Sequence, residues 1–127
     1  MLELKKVATE KAPAAIGPYS QGLTTGNLTF ISGQIPVNPA TGTMPETIEE
    51  QATQALTNLK NVLAAAGLTT GNVIKTVVFL ADLNDFPVVN RIYESFFSAP
   101  YPARSCVQVA GIPKGAKIEI ECIAVNE

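Results

Sequence analysis

A chain of 127 residues in which only 16% are charged, with a net charge of −2, is long enough for one buried core and too short for two. Nine Lys and Arg, scattered against eleven Asp and Glu, give nucleic acid no electrostatic footprint, and no apolar run approaches the roughly 20 residues needed to cross a bilayer. The absence of histidine excludes Ser-His-Asp and Cys-His nucleophilic systems and removes the commonest metal ligand, and two cysteines, Cys106 and Cys122, are too few for a disulfide framework.

Residues 2–7 form a weak first strand, followed by an irregular connection set by Pro13, Gly17 and Pro18. Segments 22–25 and 28–33 flank Gly26-Asn27, a pair suited to a tight hairpin turn. Residues 35–42, with Pro36, Pro39 and Gly42, read as a surface loop. The first helix opens on Thr47-Ile48-Glu49-Glu50, which fits a capping box. It then repeats Ile48, Ala52, Leu56, Leu59, Leu63 and Ala66 at three-to-four-residue steps until Gly67 ends it.

Residues 73–80 are nearly continuous in apolar and β-branched side chains, the pattern of a strand buried on both faces. A second helix is expected over 85–97, capped by Asp85, with Pro87 in its first turn and Phe86, Val89, Tyr93, Phe96 and Phe97 as its buried arc. Strands over 104–109 and 117–125 close the chain, and alternation places Glu119 and Glu121 on one face with Ile118, Ile120 and Cys122 on the other. The order predicts a single α/β (α+β) domain over 1–127, a mixed sheet with both helices packed on one face. The other face is left apolar. Low charge and positive mean hydropathy then favour burial of that face between identical subunits.

The first residues, Met1-Leu2-Glu3-Leu4-Lys5-Lys6, lack the layout of a secretory signal, so the cytoplasm is the expected location, and the two cysteines are expected to be free thiols. Neither G-x-G-x-x-G nor G-x-x-x-x-G-K-[ST] occurs. Chemistry must therefore use Arg, Glu, Asp, Tyr, Ser, Asn, Cys and backbone groups.

Arg104 opens an apolar strand, where its planar guanidinium could bind a carboxylate at two points or could form an ion pair at the sheet edge. Glu119, in a strongly apolar strand, is either functional or a charge on a solvent-facing surface that it shares with Glu121. Asn90 borders the buried arc and needs partners for its amide. Tyr19 and Ser32 occupy turn-flanked strand ends, where hydroxyls face a cleft or satisfy backbone groups. Cys106 shares the strand face of Arg104 and reads as substrate-lining or as a buried, inert thiol.

Four ordered blocks join these residues: Ala15-Ile16-Gly17-Pro18-Tyr19-Ser20-Gln21-Gly22, Ser32-Gly33-Gln34-Ile35-Pro36, Pro102-Ala103-Arg104-Ser105-Cys106-Val107 and Lys117-Ile118-Glu119-Ile120-Glu121. Together with Asn84-Asp85-Phe86 and Asn90 they closely resemble the reactive intermediate deaminase family, the 2-iminobutanoate/2-iminopropanoate deaminases, over essentially the whole chain. The resemblance implies a chorismate-mutase-like fold, a homotrimer with active sites between subunits, and cofactor-free hydrolysis of small 2-imino acids to 2-keto acids and ammonia, while composition and charge lead to the expectation of no metal, nucleic acid or membrane partner. It implies that Arg104 anchors the substrate carboxylate and Glu119 orients or activates water. Tyr19, Ser32, Asn90 and Cys106 would line the site, with the backbone at Cys106 helping to hold substrate. Two other readings stand beside it: a non-catalytic sensor of small carboxylates, and an RNA-cleaving translation inhibitor.

Overall fold

The computed structural model describes residues 3–126. Its elements are β1 (Leu4–Val7), β2 (Gly22–Thr25), β3 (Leu28–Gln34), α1 (Ile48–Ala65), β4 (Val73–Leu80), α2 (Phe86–Phe96), β5 (Ala103–Gln108) and β6 (Ile118–Val125). They form one six-stranded mixed sheet in the order β1-β2-β3-β6-β4-β5. Every neighbouring pair is antiparallel except β4 and β5, which α2 joins as a parallel crossover. Strand β6, last in the chain, inserts between β3 and β4, so the crossover through α1 spans one intervening strand.

Local chemistry explains the first half. Gly26 takes φ 58 while Asn27 does not enter the positive-φ region, the sign pattern of a type II′ hairpin turn. At the start of α1 the Thr47 hydroxyl accepts from the Glu50 amide at 3.2 Å. The expected capping box is only half made, because the Glu50 carboxylate takes the Thr47 hydroxyl proton, at 3.0 Å, instead of reaching a backbone amide. The helix ends as expected at Gly67, φ 76, with Leu68 N–H donating to Leu63 O and Gly67 N–H to Ala64 O, the paired bonds of a Schellman motif.

Both helices cover the same face of the sheet. Leu56, Leu59, Val62 and Leu63 of α1 and Val89 and Tyr93 of α2 pack with Ile31, Val78, Leu80, Ile118, Ile120 and Cys122 into one core. The two-sided burial expected of β4 is not found: Val73, Thr76, Val78 and Leu80 are buried, whereas Ile74 is 48% exposed and Val77 and Phe79 are half-buried. Among the described residues no second layer covers that side, where Phe30 and Val107 are also exposed. Smaller differences concern ends: β3 runs on to Gln34, α2 spans Phe86–Phe96 and β5 spans Ala103–Gln108. The first strand begins at Leu4, Leu2 lying outside the described residues, and β6 begins at Ile118. Asp85 makes no capping bond to α2; Asp82 instead accepts from the Asn84 amide at 2.9 Å and caps the short turn that leads into the helix.

Candidate active site

One group of the expected site residues gathers where the edge strand β5 meets α2. In the parallel register Arg104 lies opposite Thr76 and Cys106 opposite Val78, both on the helix-covered face. The side chain of Arg104 folds back over α2. Its Nη1 donates to Asn90 Oδ1 at 2.8 Å, and Cζ stands 5.1 Å from the Phe86 ring centroid and 4.8 Å from that of Tyr93. Asn90 is itself exposed, and Arg104 is the partner that its amide oxygen finds. Asn90, Tyr93, Glu94, Tyr101, Pro102 and Arg104 line a cavity of about 410 Å³. Burial pushes the Cys106 thiol above its ordinary pKa, and the nearby Arg104 charge offsets this only in part. A thiol held protonated is a poor nucleophile.

A second group surrounds an irregularity in β3. Its register against β6 shifts between Ile31 and Gln34, and within that bulge Ser32 N–H donates to Gln21 O at 2.9 Å and the Ser32 hydroxyl to Ser20 O at 2.6 Å. Tyr19 is 53% exposed and shares with Gly33 the lining of a cavity of about 660 Å³. The Glu119 side chain crosses Gly33 so closely that a Cβ built there would lie 2.7 Å from its Cδ and 3.0 Å from its Cγ. Desolvation raises the Glu119 pKa, and the neighbouring Glu121 charge raises it further. A carboxylate in this setting is more basic than one in water, which suits it to take a proton.

The structure does not bring the two groups together. Glu119 pairs with Phe79 and Arg104 lies opposite Thr76; residues 76 and 79 are an odd number apart on β4, so their side chains point to opposite faces. Arg104, Asn90 and Cys106 belong to the helix side, and Glu119 to the uncovered side with Glu121, as alternation foretold.

Sequence reasoning missed the residues that hold these parts in place. Gln21, 4% exposed, receives Thr9 N–H on Oε1 at 2.7 Å and donates through Nε2 to Thr9 O at 3.1 Å and Pro13 O at 2.7 Å, fastening the connection that carries Tyr19 to β2. Asn58, fully buried on α1, donates to Ile35 O at 3.0 Å and Val37 O at 2.9 Å and pulls the start of the 35–42 loop inward. The available signal was an amide at helical steps from Ala55 and Val62, on a stripe that also carries the buried Gln51. Gly33 stood in the block Ser32-Gly33-Gln34-Ile35-Pro36, but nothing in that block told that a carboxylate crosses it.

A family profile described as Endoribonuclease L-PSP matches residues 9–126. The chain belongs to that family. It is 58% identical over 125 residues to a 2-iminobutanoate/2-iminopropanoate deaminase of Escherichia coli, covering 96% of this chain and 98% of the relative. Among solved structures of the family, the YjgF gene product of E. coli superposes with a TM-score of 0.92 at 54% identity, covering 97% of this chain and 99% of the other. E. coli TdcF with bound serine gives 0.93 at 49% identity with the same coverage. Membership fits the sequence resemblance and the mixed sheet with two helices on one face.

Proposed function

We propose that this chain hydrolyses reactive 2-imino acids, 2-iminobutanoate and 2-iminopropanoate, to 2-keto acids and ammonium, acting as a single domain over 1–127 within a homotrimer. The near full-length identity of 58% with the E. coli deaminase carries this reading. The geometry supports it: Arg104 keeps most of its N–H donors free for a carboxylate, and Glu119 has raised basicity.

In this reading the carboxylate of the protonated imino acid rests on Arg104. A water attacks C2, its proton passes to Glu119, and the C=N pair moves onto nitrogen to give a carbinolamine. Glu119 returns that proton to the amine, the C–N bond breaks as the hydroxyl oxygen forms the C=O, and the hydroxyl proton passes through Glu119 to the departing ammonia, so that ammonium and the 2-keto acid leave. An iminium carbon is already an electrophile, so the reaction needs no metal or organic cofactor. Because the Ser32 hydroxyl proton is engaged by Ser20 O, its oxygen is left as an acceptor, suited to the iminium N–H. Tyr19, Asn90 and the backbone at Cys106 complete the lining.

Since Arg104 and Glu119 face opposite sides of one sheet, a complete site requires a neighbouring copy. The uncovered face, with Phe30 and Val107 each 42% exposed, suits burial against such copies. A cytoplasmic setting accords with the free thiols Cys106 and Cys122, and no helix among the described residues is long and apolar enough to cross a membrane. The family description names an endoribonuclease, but a chain with no histidine and a net charge of −2 lacks the usual proton shuttle and a cationic surface for phosphates.

The deciding experiment generates 2-iminobutanoate in situ and follows its loss and the ammonium released. Release in many-fold excess over protein supports the enzyme. Saturation at one equivalent supports a carboxylate sensor, and cleavage of RNA without imine turnover supports the ribonuclease.

A further inference from the structure

Phe86, Asn90 and Tyr93 follow one another at helical steps of four and three, so all three rise from one stripe of α2 toward β5. Each meets the same group. The Arg104 guanidinium lies 5.1 Å from the Phe86 ring and 4.8 Å from the Tyr93 ring, and Asn90 accepts from Nη1 at 2.8 Å. Behind Tyr93 stands Thr76, which is fully buried in the helix-covered face of β4, and the two hydroxyls share a hydrogen bond of 2.8 Å.

That buried pair is not explained by core stability. Valine is close to threonine in volume and phenylalanine to tyrosine, and replacing both partners of a buried polar pair together by apolar groups of the same shape can be nearly neutral or stabilising. What the hydroxyl pair adds is direction, because it fixes the phenol end of Tyr93 and with it the ring face presented to Arg104. An arginine side chain free in solvent would lose its rotamer freedom each time it closed on a carboxylate; one already stacked and bonded has lost it beforehand.

We propose that Phe86 and Tyr93, the latter locked by Thr76, form an aromatic brace that sets the plane of the Arg104 guanidinium and presents its free edge to the substrate carboxylate. This deepens the deaminase reading and rests on Arg104 being the anchor. Phe86, Tyr93 and Thr76 are positioning residues, acting through Arg104 without touching substrate.

Two readouts on the trimeric protein test the brace. In NMR spectra of the wild type, the Arg104 Nε–Hε signal is expected upfield of free arginine through the ring currents, and Phe86→Leu, which keeps apolar bulk without a π face, should move it back toward the free position. In the imine assay Phe86→Leu should raise KM about five-fold with kcat nearly unchanged, the scale of one lost cation–π contact, while Phe86→Tyr restores the wild-type KM. Thr76→Val should shift the Arg104 signal and KM the same way by less, with a lower Tm because the buried Tyr93 hydroxyl loses its partner. Thr76→Val/Tyr93→Phe, which removes both hydroxyls, should recover Tm while the shift in signal and KM persists. A Phe86→Leu protein with wild-type KM and an unmoved Arg104 signal overturns the brace. A wild type without imine turnover sinks the deaminase reading instead, and the NMR arm still decides the brace.

Discussion

The carboxylate of Glu119 occupies the space that a side chain at Gly33 would need. The atoms in conflict are the far end of a flexible side chain, and Gly33 does not use a positive φ, so alanine there can be accommodated by moving the carboxylate rather than the backbone. Gly33→Ala should therefore leave Tm nearly unchanged while kcat drops toward that of Glu119→Gln. Thermal melts and initial rates on the same protein check this, and a Gly33→Ala variant with wild-type kcat would show that carboxylate placement is not limiting.

Arg104→Lys keeps the charge but loses the planar fork and the stack on two rings, so both KM and kcat should worsen. Glu119→Gln keeps shape and removes the basic site, and its loss should fall on kcat, on the order of 10²–10⁴-fold. Glu121→Gln lies on the same face and should keep most turnover; equal loss at 119 and 121 would reassign the water-activating role.

The pH dependence follows from the raised Glu119 pKa. The carboxyl must be ionised to accept a proton, so the acid limb of kcat/KM should titrate above the ordinary 4.5. Glu121→Gln removes the smaller cause and should lower that limb without returning it to 4.5, because desolvation remains. For stability the sign is the reverse of an ion-paired acid. The folded protein holds this proton more tightly than the unfolded chain, so Glu119 costs nothing below the unfolded value and becomes destabilising as pH rises through the raised one. Glu119→Gln should accordingly gain stability at neutral pH, read from denaturant midpoints against wild type.

A shared site is open to complementation. Light scattering should report about three chain masses, and Phe30→Glu, which puts a charge on the uncovered face, should yield monomers without activity. In cyclic trimers formed from equal amounts of unfolded and co-refolded Arg104→Ala and Glu119→Gln chains, about a quarter of the sites regain both wild-type groups. Recovery to that fraction of wild-type turnover supports the arrangement; no recovery in verified mixed trimers places both residues on one chain's site.

Cys106→Ala should retain most activity, since burial raises its thiol pKa and its expected contribution is the backbone. Complete loss in a folded trimer would assign the sulfur a chemical role.

What the sequence made legible was local. Thr47 and Gly67 bound α1 through short-range hydrogen bonds, Gly26 marked its own turn, and alternation placed Glu119 with Glu121. The separation of Arg104 from Glu119 was not legible, because it depends on β6 inserting between β3 and β4 from the far end of the chain. Nor could the apolar run of β4 say what covers its second face, since a strand buried by its own chain and one buried by a copy have the same composition. Asp85 and Asp82 were equally good caps by residue type, and only the turn at Leu83–Asp85 selected Asp82.

On the shared-site reading, the opposite-face placement of Arg104 and Glu119 makes the separated chain an inventory of unmatched halves, each complementary to something it cannot reach by itself. Turnover per chain becomes, on that reading, a function of how much protein is present, collapsing on dilution through the range where copies part and returning on concentration. Catalysis and assembly are then one equilibrium, and any substrate that bridges the two faces draws the chains together by mass action.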